Sequence, residues 1–159
     1  MINKYALLLF TSIFIFAGCS NKKQEVFVTD NKIYSVALQH TKKIDIVESL
    51  GTKAILTVTY LNYVNESYDD NNHNFLVGIY VADKHFQSEK IQYSILSNGM
   101  ELELRQLDEN NLMFGNIPLE NKWADYHLVC VPKEEQNKVT LEFDIDNIGN
   151  TIVTLPVKN

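Results

Sequence analysis

From Val139 to Ile145 every second side chain is apolar: Val139, Leu141, Phe143 and Ile145 alternate with Thr140, Glu142 and Asp144. A period of two puts each set on its own face of an extended strand, so one face is buried and the other is wet. The same alternation recurs in Ile91-Gln92-Tyr93-Ser94-Ile95, and again where Met100, Leu102 and Leu104 alternate with Glu101, Glu103 and Arg105. Between these two runs stands Asn98-Gly99. Asn-Gly supplies the positive φ angles of a two-residue hairpin turn and predicts that the flanking strands pair antiparallel. Half-buried antiparallel strands need a second sheet to cover their apolar face.

Further strands are predicted at Lys53–Leu61, rich in β-branched residues, and at Phe75–Val81, which is apolar on both faces and therefore central. Tyr126–Val131 is another, ended by Pro132, and Asn147-Ile148-Gly149-Asn150 turns the chain into Thr151–Leu155. Asp108-Glu109-Asn110-Asn111 reads as a turn. Val26–Val28 and Lys43–Ile46 read as strands, yet Ile33, Val36, Ala37, His40 and Ile44 also fit one helical face, so residues 33–48 keep two readings. The spacing of about seven or eight strands fits an all-β, antiparallel sandwich or small barrel. No repeat or internal linker divides it, so residues 25–159 form one domain.

The N-terminus has a different character. Met1 and Lys4 give a short positive head, and Ala6–Phe16 is apolar except for Thr11 and Ser12. That run is shorter than the ~20 residues of a membrane-spanning helix. With Ala17 and Gly18 after it, it reads as a secretory signal over residues 1–18. Phe16-Ala17-Gly18-Cys19 resembles the lipobox of bacterial lipoproteins, which more often has Leu where Phe16 stands. The resemblance implies cleavage between Gly18 and Cys19, lipidation of Cys19, and attachment to a membrane through that lipid. Two or more acyl chains hold a protein durably where one does not. Residues 19–24 then form a lipidated tether, and Ser20 favours the outer membrane under enteric-type sorting.

The order of segments in the body resembles small immunoglobulin-like lipoproteins of Gram-negative envelopes. The residues that carry the likeness are the lipobox, the Ala54–Asn62 strand, and Tyr126-His127-Leu128-Val129-Cys130-Val131-Pro132 followed by a closing hairpin. Tyr126 and Cys130 depart from the immunoglobulin tyrosine corner, since Cys130 is four residues on and has no disulfide partner. The likeness implies the sandwich and an envelope location, and it carries over no catalytic residue.

The net charge of −6 becomes −7 once the signal, whose one ionised side chain is Lys4, is removed. A negative domain without a Lys/Arg cluster does not suit nucleic acid. Cys130, the only cysteine besides Cys19, sits in an apolar run and reads as a small core side chain. His40, His73, His85 and His127 are never at metal-ligand spacing. Asp144–Gly149 imitates the start of an EF-hand loop but places Ile148 and Leu155 where oxygen ligands are needed. No nucleophile elbow or phosphate loop occurs, and the chain is read as a non-enzyme with no cofactor and no metal.

The most distinctive polar segment runs from Glu66 to Asn74. Within it Tyr68, Asp69, Asp70, Asn72 and His73 are the candidate partner-binding loop, and Asp69, Asp70 and Asn72 the only candidate Ca²⁺ ligands. Asn and Asp also fill such segments because they tolerate turn geometry, and that reading is preferred over metal. The function expected is a membrane-anchored, non-enzymatic interaction module with a protein partner. The alternative is a carrier whose sheets enclose an apolar ligand among Tyr60, Tyr63, Phe75, Tyr80, Tyr93, Phe114 and Trp123.

Overall fold

The computed structural model describes residues 32–49, 51–82, 91–108 and 118–158. The signal, the tether with Cys19, the strand expected at Val26–Val28, residues 109–111 of the expected turn, and Phe114 lie outside the described residues.

Both readings of residues 33–48 hold, each over its own half. Helix α1 spans Lys32–Gln39 and buries Ala37, and strand β1 follows over Thr41–Glu48. The junction is tied by the hydroxyl of Thr41, which donates to the carbonyl of Ala37 at 2.7 Å. Strands β2 (Gly51–Tyr60) and β3 (Asn72–Val81) come next, then β4 (Tyr93–Ser97) and β5 (Met100–Glu101). Strands β6 (Leu104–Gln106), β7 (Asp125–Pro132), β8 (Lys138–Ile145) and β9 (Gly149–Pro156) complete the body.

These strands form two antiparallel sheets, one ordered β1-β2-β3-β7-β6 and the other β5-β4-β8-β9. Taken from β2 onward, the order is that of an immunoglobulin sandwich with one additional strand on its second sheet. Strand β1 extends the first sheet by one. Apolar side chains of both sheets meet in a single core, with Leu56, Val58 and Phe75 facing Ile95, Leu141, Phe143 and Leu155. Burying a side chain of this size contributes about 1.5–3 kcal/mol.

The sequence pattern maps onto this frame closely. Strand β8 buries Val139, Leu141, Phe143 and Ile145 and leaves Glu142 and Asp144 exposed. Strand β3 lies at the centre of its sheet, as its two apolar faces predict. Asn98 and Gly99 both have positive φ, 51° and 75°, and the hairpin forms there.

The expected strand through Met100, Leu102 and Leu104 is corrected. It breaks after Glu101, and the chain crosses to the other sheet, where Leu104 pairs with Val129 of β7. Leu102 and Leu104 pack against the core, whereas Met100 at the start of the alternating run is 59 % exposed. Hydrophobic period alone therefore does not mark a change of sheet.

Cys130 is the second correction. It is exposed, because the β7 register turns Val129 and Val131 inward and Cys130 outward. The run reads as uniformly apolar because the outer face of β7 is itself partly covered. There Leu61, Leu76, Tyr126 and Leu128 form a second, smaller cluster with Tyr68, Leu107 and Ala124.

The registers also define the two ends of the sandwich. At one end lie the start of β1, the close of β2 and the close of β7, through the pairs Thr41↔Thr59, Tyr60↔Phe75 and Asn72↔Pro132. At the other lie the start of β2, the close of β3 and the start of β7, through Ala54↔Val81 and Ile79↔Asp125.

Candidate functional site

The Glu66–Asn74 segment lies at the end where the chain enters β1, and its polar groups bond to one another. Asp70 Oδ1 accepts from the backbone N–H of Asn72 at 2.7 Å and from Asn74 Nδ2 at 3.0 Å. Asn74 Nδ2 also donates to the Tyr68 carbonyl at 2.8 Å, and the Asn74 N–H donates to Asn62 Oδ1 at 2.8 Å. Asp69 is held between two ammonium groups, Lys133 Nζ at 2.8 Å and Lys158 Nζ. Hydrogen bonds from these lysines draw its carboxyl down to about 2. The two carboxylates are thus engaged in fastening β3, the β7–β8 loop and the C-terminal segment together. Among the described residues no three His, Cys, Asp or Glu side chains gather where a metal ion could be held.

His73 does not lie in the loop. It is the second residue of β3 and is fully buried, so as folded it offers nothing to a surface partner. Tyr60 Oη and His73 Nδ1 share a hydrogen bond at 3.1 Å, and Tyr60 Oη accepts from the N–H of Lys158 at 3.2 Å. At the other end of the core, Tyr93 Oη and His127 Nε2 share a hydrogen bond. Burial pushes the Tyr93 phenol up to about 12 and holds both imidazoles below their ordinary value, so each pair is uncharged at neutral pH. His73 Nε2 and His127 Nδ1 are buried with no hydrogen-bond partner among the described residues.

Of the aromatics proposed for a carrier, Phe75 and Tyr63 each have a ring centroid 5.3 Å from that of Tyr60, Tyr63 at the exposed edge, whereas Trp123 is exposed at the opposite end of the sandwich.

Trp123, placed from the sequence only among the aromatics of a carrier, stands instead on the turn that leads into β7. Trp123, the only tryptophan of the chain, is 72 % exposed, and Leu119 beside it is 45 % exposed. Both are among the large apolar side chains that stand exposed in the described residues.

The turn is rigid because it is bonded at several points. The N–H of Asn121 donates to Tyr126 Oη at 2.8 Å, Asn121 Oδ1 accepts from the N–H of Trp123 at 3.0 Å, and the Ala124 N–H donates to the Asn121 carbonyl at 3.0 Å. Leu119 has φ of +58°, a conformation a branched side chain adopts only under constraint. Lys122 Nζ sits 4.6 Å from the Trp123 ring centroid and holds it by a cation–π contact.

A groove of about 640 Å³ runs beside the indole; its polar lining is Gln106, Asp108, Glu120, Asn121, Lys122 and Asp125, and Trp123 lines it too. A second depression of about 530 Å³ lies between Trp123 and Tyr80. Both belong to the end of the sandwich opposite Thr41. The available signal was a lone Trp in a polar segment, Glu120-Asn121-Lys122-Trp123, which periodicity does not assign to any core face.

Among the described residues no helix is long and apolar enough to cross a membrane. No family model matches this chain, and no curated protein and no solved structure matches it.

Proposed function

We propose that this chain is a lipid-anchored protein of a bacterial cell envelope, and that its sandwich is a non-enzymatic contact module. The observation that carries the anchoring is the ordered series of positive head, short apolar run, Ala17-Gly18 and Cys19. Two acyl chains on Cys19 would keep the protein on the membrane, and the six-residue tether to Gln24 would reach at most ~20 Å from it. The immunoglobulin-type strand order and the exposed Trp123 support the contact role. Thr41 and Trp123 lie at opposite ends of the sandwich, so the turn is separated from the point where the chain enters the sheets.

Metabolic labelling with palmitate tests the anchor: label should enter the full chain and be lost in Cys19→Ala. An unlabelled, unprocessed chain would sink the reading. Protease treatment of intact cells, repeated after permeabilising the outer membrane, then separates surface display from the periplasmic face. A photo-cross-linking residue at position 123 should give discrete envelope adducts, whereas one at position 45 should not. Equal adducts from both positions would remove the Trp123 end as the contact surface.

A further inference from the structure

We infer that the groove beside Trp123 is a saccharide-binding site, which takes the ring of a neutral oligosaccharide against the indole. The inference deepens the contact role proposed above by naming the chemistry of what is contacted. A pyranose ring has one face of C–H bonds and a rim of hydroxyls. It therefore suits a flat aromatic surface bordered by hydrogen-bonding side chains.

The groove supplies both. Its platform is the indole of Trp123, 72 % exposed, with Lys122 Nζ 4.6 Å from the ring centroid and the backbone beneath it held by the Asn121 and Tyr126 hydrogen bonds. Its rim carries the amides of Gln106 and Asn121, the carboxylates of Asp108, Glu120 and Asp125, and the ammonium of Lys122. Amides donate and accept, and carboxylates accept from hydroxyls, which matches a ligand rich in O–H donors. A volume of about 640 Å³ falls in the range of small-molecule sites and has room for a disaccharide or slightly more.

The same charges argue against other occupants. The groove's charged side chains are three carboxylates and the Lys122 ammonium, a net negative charge that disfavours phosphate, so neither nucleic acid nor an anionic lipid headgroup suits the rim. A purely apolar ligand would desolvate these charged groups without offering them a hydrogen bond. Insertion of Trp123 and Leu119 into a bilayer interface would press the carboxylates towards the headgroups. The rim thus favours an uncharged polyhydroxylated ligand.

The experiment uses the full chain in a detergent without a sugar headgroup. Trp123 is the only tryptophan, so its emission reports this site alone. Titration with cellotetraose and with chitotetraose should shift and saturate that emission for at least one of them. Calorimetry on Trp123→Ala should show binding weaker by about tenfold or more, the loss expected for a stacked aromatic platform. Glu120→Gln and Asn121→Ala, followed by fluorescence, should weaken binding several-fold while the melting temperature shows that the fold is kept. No saturable response to either sugar overturns the inference. So does an emission shift produced by phosphatidylcholine vesicles and by neither sugar, which would mark a bilayer-inserting turn. A negative titration in a chain that still labels with palmitate overturns the saccharide site alone and leaves the anchored module standing.

Discussion

The hydroxyl of Tyr126 accepts a hydrogen bond at 2.8 Å from the backbone N–H of Asn121, five residues before it. Tyr126 is buried on the outer face of the larger sheet, so this bond ties an exposed turn to a packed side chain. The phenol is pushed above its ordinary value chiefly by burial and stays neutral at any pH the protein would meet.

Tyr126→Phe should therefore leave the Asn121 N–H without this partner and loosen the Trp123 turn. The expected loss of stability is about 1 kcal/mol, with faster depolarisation of Trp123 emission. Denaturant unfolding and fluorescence anisotropy read the two effects. An unchanged anisotropy would show that the turn is held by the Asn121 side chain instead.

The ring of Tyr126 also lies over Gly78 of β3. A Cβ built on Gly78 would come within 2.7 Å of Tyr126 Cε1 and 2.5 Å of Thr57 Oγ1. Gly78→Ala should force both neighbours aside and cost about 1–3 kcal/mol, as overpacking in a filled interior does. The same substitution at Gly51, where a Cβ meets nothing within 4 Å, is the control and should have little effect. Equal midpoints for the two variants in urea would contradict the packing.

Stability should fall with acid in two stages. Burial holds His73 and His127 below their ordinary value, so as pH drops through about 6.5 the unfolded chain takes up protons that the folded chain refuses. Stability present above that pH is then lost progressively below it. The Asp69 carboxyl, lowered to about 2 by Lys133 and Lys158, adds a separate loss only below the ordinary carboxylate range. Unfolding free energies measured from pH 8 to pH 3 should show the first decline before any carboxylate titrates. His127→Phe should flatten that first stage, and a level profile between pH 8 and pH 5 would refute the assignment.

Cys130 should react without unfolding, but slowly. Its thiol is exposed, yet the S–H donates to Asn74 Oδ1 at 3.2 Å and burial of the sulfur pushes its pKa up. A soluble aromatic disulfide should label it in native buffer at a rate that climbs steeply with pH, since the thiolate is the reactive form. Asn74→Ala should speed the reaction. Labelling that requires denaturant would return Cys130 to the core.

The strand positions, the Asn98-Gly99 hairpin and the sandwich class were legible in the chain itself, because period two and turn chemistry are local properties. They needed only neighbouring residues to be read, as Val139–Ile145 shows by burying every side chain its alternation predicts. Three other features depended on which strand lies beside which. The crossing between β5 and β6 keeps the alternation and changes only the partner, from Leu96 opposite Glu101 to Val129 opposite Leu104. Cys130 turned outward, and His73 inward, because the register of β3 with β7 set their faces. The polar run at Asp69 and Asp70 looked open to a ligand until Lys133 and Lys158, distant in the chain, were seen to hold it. The Trp123 groove was least legible of all. A lone tryptophan has no period, and its exposure exists only once Tyr126 and Asn121 fix the turn at the end of the sheet. Local periodicity fixes what each segment becomes; the pairing of distant segments decides which faces remain for another molecule to meet.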